Sequence, residues 1–173
     1  SQFLFAQSER GMLPIQNFTP KEYRALPQNW GVSQSHNGVI YVGNNEGLIE
    51  YKGANGKDEK WSLYNVANGS NVRSISIDKN GFVFVGARDE IGYFAPDSMG
   101  RGKLIYYNLV DYVDNIHKPL GEIWHTVAVD DGVYFASFSK VYYWDYKELK
   151  TLDFGDINWL FSFNGKAHVV SAM

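Results

Sequence analysis

The sequence predicts an all-β fold, and three observations carry that expectation. The stretch Asn29 to Lys52 (NWGVSQSHNGVIYVGNNEGLIEYK) reads as three short strands, Trp30 to Gln34, Val39 to Gly43 and Leu48 to Tyr51, separated by the turns SHNG and NNEG. The stretch then recurs, as NVRSISIDKNGFVFVGARDEIGYF from Asn71, as EIWHTVAVDDGVYFASFSKVYYW from Glu122, and in part as INWLFSFNGKAHVVSA from Ile157. Finally, a glycine opens the second strand of each copy, at Gly38, Gly81, Gly132 and Gly165, at intervals of 43, 51 and 33 residues. Their mean is about 42, the period of a propeller blade.

Each strand has its own signal. The second strands, GVIYVG, GFVFVG and GVYFAS, are almost continuously apolar. Such runs suit a middle strand covered on both faces. The glycines that open them are expected to supply the positive φ of a tight hairpin. A fourth strand follows each third one, at Trp61 to Tyr64, Leu104 to Tyr107 and Thr151 to Phe154. Four antiparallel strands per repeat point to a β-propeller fragment of about three four-stranded blades plus the start of a fourth. The expected blades are 29–70, 71–121, 122–156 and 157–173. Three and a half blades cannot close a ring, and open blade faces are apolar. The expectation is therefore a piece of a longer chain, or self-association through the last blade.

Ahead of the repeats, residues 8–28 read as an extended lead-in. Within it, TPKEYRAL suits one helical turn, with Thr19 as N-cap, Pro20 at the first position and Glu22 at the third. Residues 1–7 contain Phe3-Leu4-Phe5-Ala6-Gln7, which suits the end of a secretory apolar region cut after Ala6, although Leu4 departs from the small-residue rule. A short edge strand or a tail is the alternative. The linker VDYVDNIHKPLG (110–121) is either a functional loop or a short surface helix.

Composition narrows the function. The chain is 45% hydrophobic, so it folds, and its net charge of −3 offers no basic face for nucleic acid. There is no cysteine, hence no disulfide framework and no thiolate metal site. No GxSxG, HExxH or phosphate-binding loop occurs, and His36, His117, His125 and His168 lack metal-ligand spacing. No catalytic residue, metal or cofactor is expected. His125 alternates with Ile123 and Val127, as a strand-packed or channel-facing imidazole would. Asp78 to Gly81 reads as a β-turn opened by an aspartate. The pairs Asp89-Glu90 and Asp130-Asp131 read as solvated turn charges.

The repeat residues resemble the first blades of bacterial two-component-regulator propellers. The resemblance rests on Gln28-Asn29-Trp30, Gly38 to Asn44, Gly47 to Tyr51, Trp61, Val72-Arg73-Ser74-Ile75 and Ile91-Gly92-Tyr93. The lead-in GMLPIQNFTPKEY is similar to the segment that follows the signal peptide in the triple-tyrosine subgroup. The resemblance implies the periplasmic sensor region of a membrane-spanning regulator. Further blades, a transmembrane helix and a histidine kinase or helix-turn-helix output would follow in such a protein. It also implies a non-enzymatic sensor that binds an oligosaccharide or another small ligand. A protein-interaction propeller and a glycan-active enzyme are the alternatives.

In a propeller the first strands line the channel, and ligands meet the rim made by their starts and by the loops between second and third strands. The expected ligand-binding residues are therefore Trp30, Asn44, Asn45, Arg73, Arg88, Asp89, Trp124 and Trp159, with Glu122 and Asn158 on the same rim. Indole faces suit sugar C–H groups, and polar side chains suit hydroxyls. Trp30, Trp124 and Trp159 occupy similar places in successive repeats. At least two of them are expected to pack blades rather than touch ligand.

Overall fold

The computed structural model describes residues 15–53, 60–99 and 102–172. The apolar N-terminal pentapeptide lies outside them, and so does the start of the lead-in.

The repeats form three four-stranded antiparallel sheets and one two-stranded sheet. Blade one is β1 (Asn29–Gln34), β2 (Ile40–Asn44), β3 (Gly47–Lys52) and β4 (Lys60–Tyr64). Blade two is β5 (Val72–Ile77), β6 (Val83–Ala87), β7 (Glu90–Pro96) and β8 (Leu104–Asn108). Blade three is β9 (His125–Val129), β10 (Gly132–Ala136), β11 (Lys140–Trp144) and β12 (Leu149–Asp153). The fourth sheet is the hairpin of β13 (Ile157–Phe163) and β14 (Lys166–Ser171). Strands pair in chain order within each sheet, as a meander must when tight hairpins join neighbours. The all-β propeller architecture read from the repeats is thus the fold.

The core lies between blades rather than within them. Leu48, Val72, Val83, Val85 and Phe94 join blade one to blade two. Phe84, Ile91, Ile123, Val133, Phe135 and Tyr142 join blade two to blade three. Buried Ala136, Val141, Ile157 and Leu160, with partly buried Val127, Tyr134, Ala167 and Val169 against them, form the third interface. The apolar middle strands follow from this arrangement: every residue of β6 is buried because a blade covers each of its faces. Polar bonds also cross the gap. Ser74 Oγ lies 2.7 Å from Thr126 Oγ1, and the Ala128 N–H donates to Ser76 Oγ at 3.0 Å. Blades two and three meet so closely at Gly86 that a Cβ there would collide with the Ile123 side chain and Ser74 Oγ.

Two local expectations change, at Gly132 and Glu90. Gly38, Gly81 and Gly165 take positive φ, but Gly132 does not. The third hairpin is shorter, with Val129 paired directly to Gly132, so this glycine is already in its strand. A Cβ at Gly132 would meet the Trp144 carbonyl oxygen at 2.5 Å, so what is needed there is space, not turn geometry. The 110–121 linker takes the short surface-helix form of its two expected readings, since neither of its helical turns contains a buried residue. It makes two short 3-10 turns, Val110–Tyr112 and Asn115–His117, and Val113 and Leu120 enter the core alongside Leu109. Glu90 is not a solvated turn charge. It begins β7, is buried, and accepts a hydrogen bond from the Tyr106 hydroxyl at 2.9 Å.

The helical turn α1 (Pro20–Tyr23) forms where expected. The Thr19 N–H donates to Glu22 Oε2 at 2.6 Å. The lead-in then packs by its aromatics: Phe18 and Tyr23 contact Trp61, and Trp61 lies 4.3 Å from Tyr51 between ring centres. Asp78 makes the expected turn, accepting from the Asn80 and Phe82 N–H groups, each at 2.9 Å.

Candidate functional site

The site grows from one repeated irregularity. The pairing register shifts between Asn29 and Gly31 in blade one, between Val72 and Ser74 in blade two, and between Ile157 and Trp159 in the fourth sheet. Each shift leaves one extra residue, Trp30, Arg73 or Asn158. A bulge re-aims a side chain where pairing begins. In blade three Trp124 takes the corresponding place, after buried Ile123 as Arg73 follows buried Val72. Trp159 is therefore one position out of step with Trp30 and Trp124. It corresponds to His125, which corrects the expected equivalence of the three tryptophans.

Arg73 is the centre of the group. Its guanidinium carbon lies 3.8 Å from the Trp30 ring centre and 5.0 Å from that of Trp124. The two indoles meet at 77° with centroids 6.3 Å apart, so the cation sits in the corner they make. Such contacts hold a cation well when water is displaced. Arg73 Nε donates to Glu122 Oε2 at 2.8 Å, and Arg88 Nε donates to Glu122 Oε1 at 2.6 Å. Burial works to raise the Glu122 carboxyl, but the hydrogen bonds and charges of the two arginines outweigh it and hold it below the usual value. Arg73 Nη1 and Trp124 Nε1 are buried with no hydrogen-bond acceptor among the described residues.

Beside this cluster opens a cavity of about 390 Å³, lined by Trp30, Arg73, Trp124, His125, Phe138 and Trp159, among others. A second hollow of about 300 Å³ runs on along Val32, Ile75, Thr126 and Leu160, the inner faces of the first strands. Trp159 is the most open of the three tryptophans at 58% exposure, with its ring 4.8 Å from that of His125. His125 is half-buried, and burial pushes its imidazole below the ordinary value. Trp30 is held on several sides, since its Nε1–H also donates to Asn45 Oδ1 at 2.7 Å.

The structure brings together Trp30, Arg73, Trp124 and Trp159, with Arg88 joined through Glu122. Asn45 lines a separate hollow of about 310 Å³ with Leu26, Ser70, Asn71 and Arg88. Two expected ligand residues have structural work instead. Asn44 is fully buried, and its Nδ2 reaches Leu26 O, Gln28 O and Asn29 Oδ1 at 2.6 to 3.0 Å, tying the lead-in to blade one. Asp89 accepts from the Gly121 N–H at 2.6 Å and donates its own N–H to the Gly121 carbonyl at 2.8 Å. A loop position alone does not distinguish a free side chain from one closing the next linker.

Phe138 and His125 complete the cavity and were not among the expected ligand residues. Phe138 lies between β10 and β11, in the very class of loop that supplied Asn45 and Arg88 in the earlier repeats. Applying the same rule to the third repeat finds it. His125 follows from the register of β9, which sequence spacing leaves one residue uncertain.

Among the described residues no cluster of three or more His, Asp or Glu side chains could hold a metal ion. No described helix is long and apolar enough to cross a membrane. No family model matches the sequence, and neither does any curated protein.

Proposed function

We propose that this chain is a ligand-binding propeller module, the extracytoplasmic sensor region of a membrane-spanning regulator, and that it takes a saccharide in the Trp30–Trp124–Trp159 cavity. One observation carries the binding role: an open cavity has flat aromatic walls, and two of its lining residues, Arg73 and Trp124, each hold a buried donor without an acceptor among the described residues. Leaving a buried donor unpaired costs about 1–3 kcal/mol, so a ligand oxygen that reaches one recovers that energy. Aromatic faces with a few placed polar groups are the usual composition of a sugar site. The resemblance of Gln28-Asn29-Trp30 and Val72-Arg73-Ser74-Ile75 to two-component-regulator propellers supports the sensor role and a periplasmic location. Signalling would be a shift between two packings of the sensor, driven by tighter binding to one of them.

The test is a titration of intrinsic tryptophan fluorescence with a panel of neutral and acidic oligosaccharides, repeated by calorimetry. Saturable binding by at least one of them, weakened tenfold or more by Trp159→Ala with an unchanged unfolding midpoint, is the expected result. No binding by any oligosaccharide would remove the reading in favour of a protein-interaction propeller.

A further inference from the structure

The cavity described above has a charge as well as a shape, and the charge bears on which saccharides it accepts. Two guanidiniums, Arg73 and Arg88, share the single carboxylate of Glu122, so the cluster carries one unit of positive charge. Asp89, next in the chain, is turned to the Gly121 N–H and makes no ion pair with them among the described residues. The two arginines differ in setting. Arg88 is 62% exposed, and its charge is screened by water, whereas Arg73 is only 11% exposed and lines the cavity. The unbalanced charge therefore acts most strongly where water is scarce.

The geometry limits what Arg73 can accept. Two indoles cover it at the corner, and Glu122 occupies Nε, which leaves buried Nη1 without an acceptor. A planar guanidinium held this way is already oriented for a planar anion and loses little freedom on binding one. Hydroxyl groups would supply acceptors but not the missing negative charge.

We infer that the site selects acidic glycans, taking a sugar carboxylate on Arg73 while the sugar ring lies on the neighbouring indoles. The inference rests on the saccharide reading of the same cavity. Glu122 then has a second role. It is the internal competitor of the ligand carboxylate, holding Arg73 in place and moderating its affinity.

The experiment compares oligomers of galacturonate, glucuronate and mannuronate with their own methyl esters, which differ only in charge. Acetate serves as the bare-anion control. The expected result is that at least one acid form binds tenfold or more tightly than its ester and that added salt reduces the difference. In Arg73→Gln the acid and ester bind alike. In Glu122→Gln the acid form binds more tightly than in the wild type, a gain that damage to the fold would not imitate. Equal binding of acid and ester by the wild type would overturn the charge selection and leave the saccharide reading standing. Competition by acetate as effective as by the sugar acid would reduce the site to a simple anion site and overturn the glycan assignment. Failure of every acid and every ester to bind would remove the saccharide reading itself.

Discussion

The guanidinium carbon of Arg73 lies 3.8 Å from the centre of the Trp30 ring, in the neighbouring blade. Through Glu122 the same side chain is tied to the blade on its other side. One residue of blade two thus fastens both of its neighbours at the mouth of the cavity. Arg73→Ala should destabilise the chain by about 2 kcal/mol, since it removes a partly desolvated cation–π contact and strands half of the Glu122 carboxylate. Arg73→Lys should recover part of that loss. Urea unfolding of the three proteins measures it, and an unchanged midpoint in the alanine variant would show that the contact is passive.

His125 stands against Trp159 in a half-buried place and is held below its ordinary value by burial. A base that binds its proton less readily when folded keeps full stability while both states are neutral. Stability is lost as pH falls through the unfolded value of about 6.5, where the unfolded chain gains the proton first. The His125 contribution to unfolding free energy should therefore decline between pH 7 and 5, so the wild type should lose stability relative to His125→Phe over that window. A difference between wild type and variant that stays constant across this window would contradict the assignment.

Glu90 behaves in the opposite direction. Burial raises its carboxyl, ahead of the lowering by the Tyr106 hydroxyl and by a backbone hydrogen bond at Asn68. Below the ordinary value of 4.5 both folded and unfolded forms hold the proton and burial carries no charge penalty. As pH rises past that value the unfolded chain ionises first, and stability falls until the folded carboxyl follows. Glu90→Gln keeps a group that can pair with Tyr106 and should remove this slope. Comparing the two proteins by thermal unfolding from pH 4 to 7 measures the effect. A variant less stable than the wild type at pH 7 would mean that the ionised carboxylate is well paired.

The outer face of the β13–β14 hairpin shows Phe161, Phe163 and Val170 to solvent. Apolar surface of this kind drives association. Light scattering on the 173-residue chain should give a mass that rises with concentration toward twice that of one copy. Phe163→Glu with Val170→Lys should hold the chain at single mass. A wild-type protein that stays monomeric at every concentration would show that this face is tolerated bare.

Much of the architecture was legible in the sequence because blades are local. Each hairpin is specified by its own turn residues, and each apolar run is long enough to reveal a strand covered on both sides. Gly38 to Asn44 and Gly81 to Ala87 share one residue pattern, and the Asp78 turn and the Thr19–Glu22 helical turn follow from single residue types. The rim could be located as well, because the starts of first strands must gather near the channel.

What the sequence could not determine was which rim residues are free. Asn44 and Asn45 are adjacent and identical in type. One is buried under the lead-in, while the other receives the Trp30 indole. Asp89 and Arg88 are likewise adjacent, yet one closes the linker at Gly121 and the other shares Glu122, 34 residues on. The partners of Asn44 and Asn45 lie in the lead-in and the first strand of their own blade, and those of Arg88 and Asp89 at the approach to the next blade. The aim of Trp30 and Arg73 depends on bulges that shift register by a single residue. A periodic pattern read along the chain is blind to such a shift, because side-chain direction alternates at every step. The sequence alone determined strands, blade order and which rim residues to consider for the candidate site. Only the packing of blade on blade decided that Arg73, rather than Asn44 or Asp89, stands at its centre.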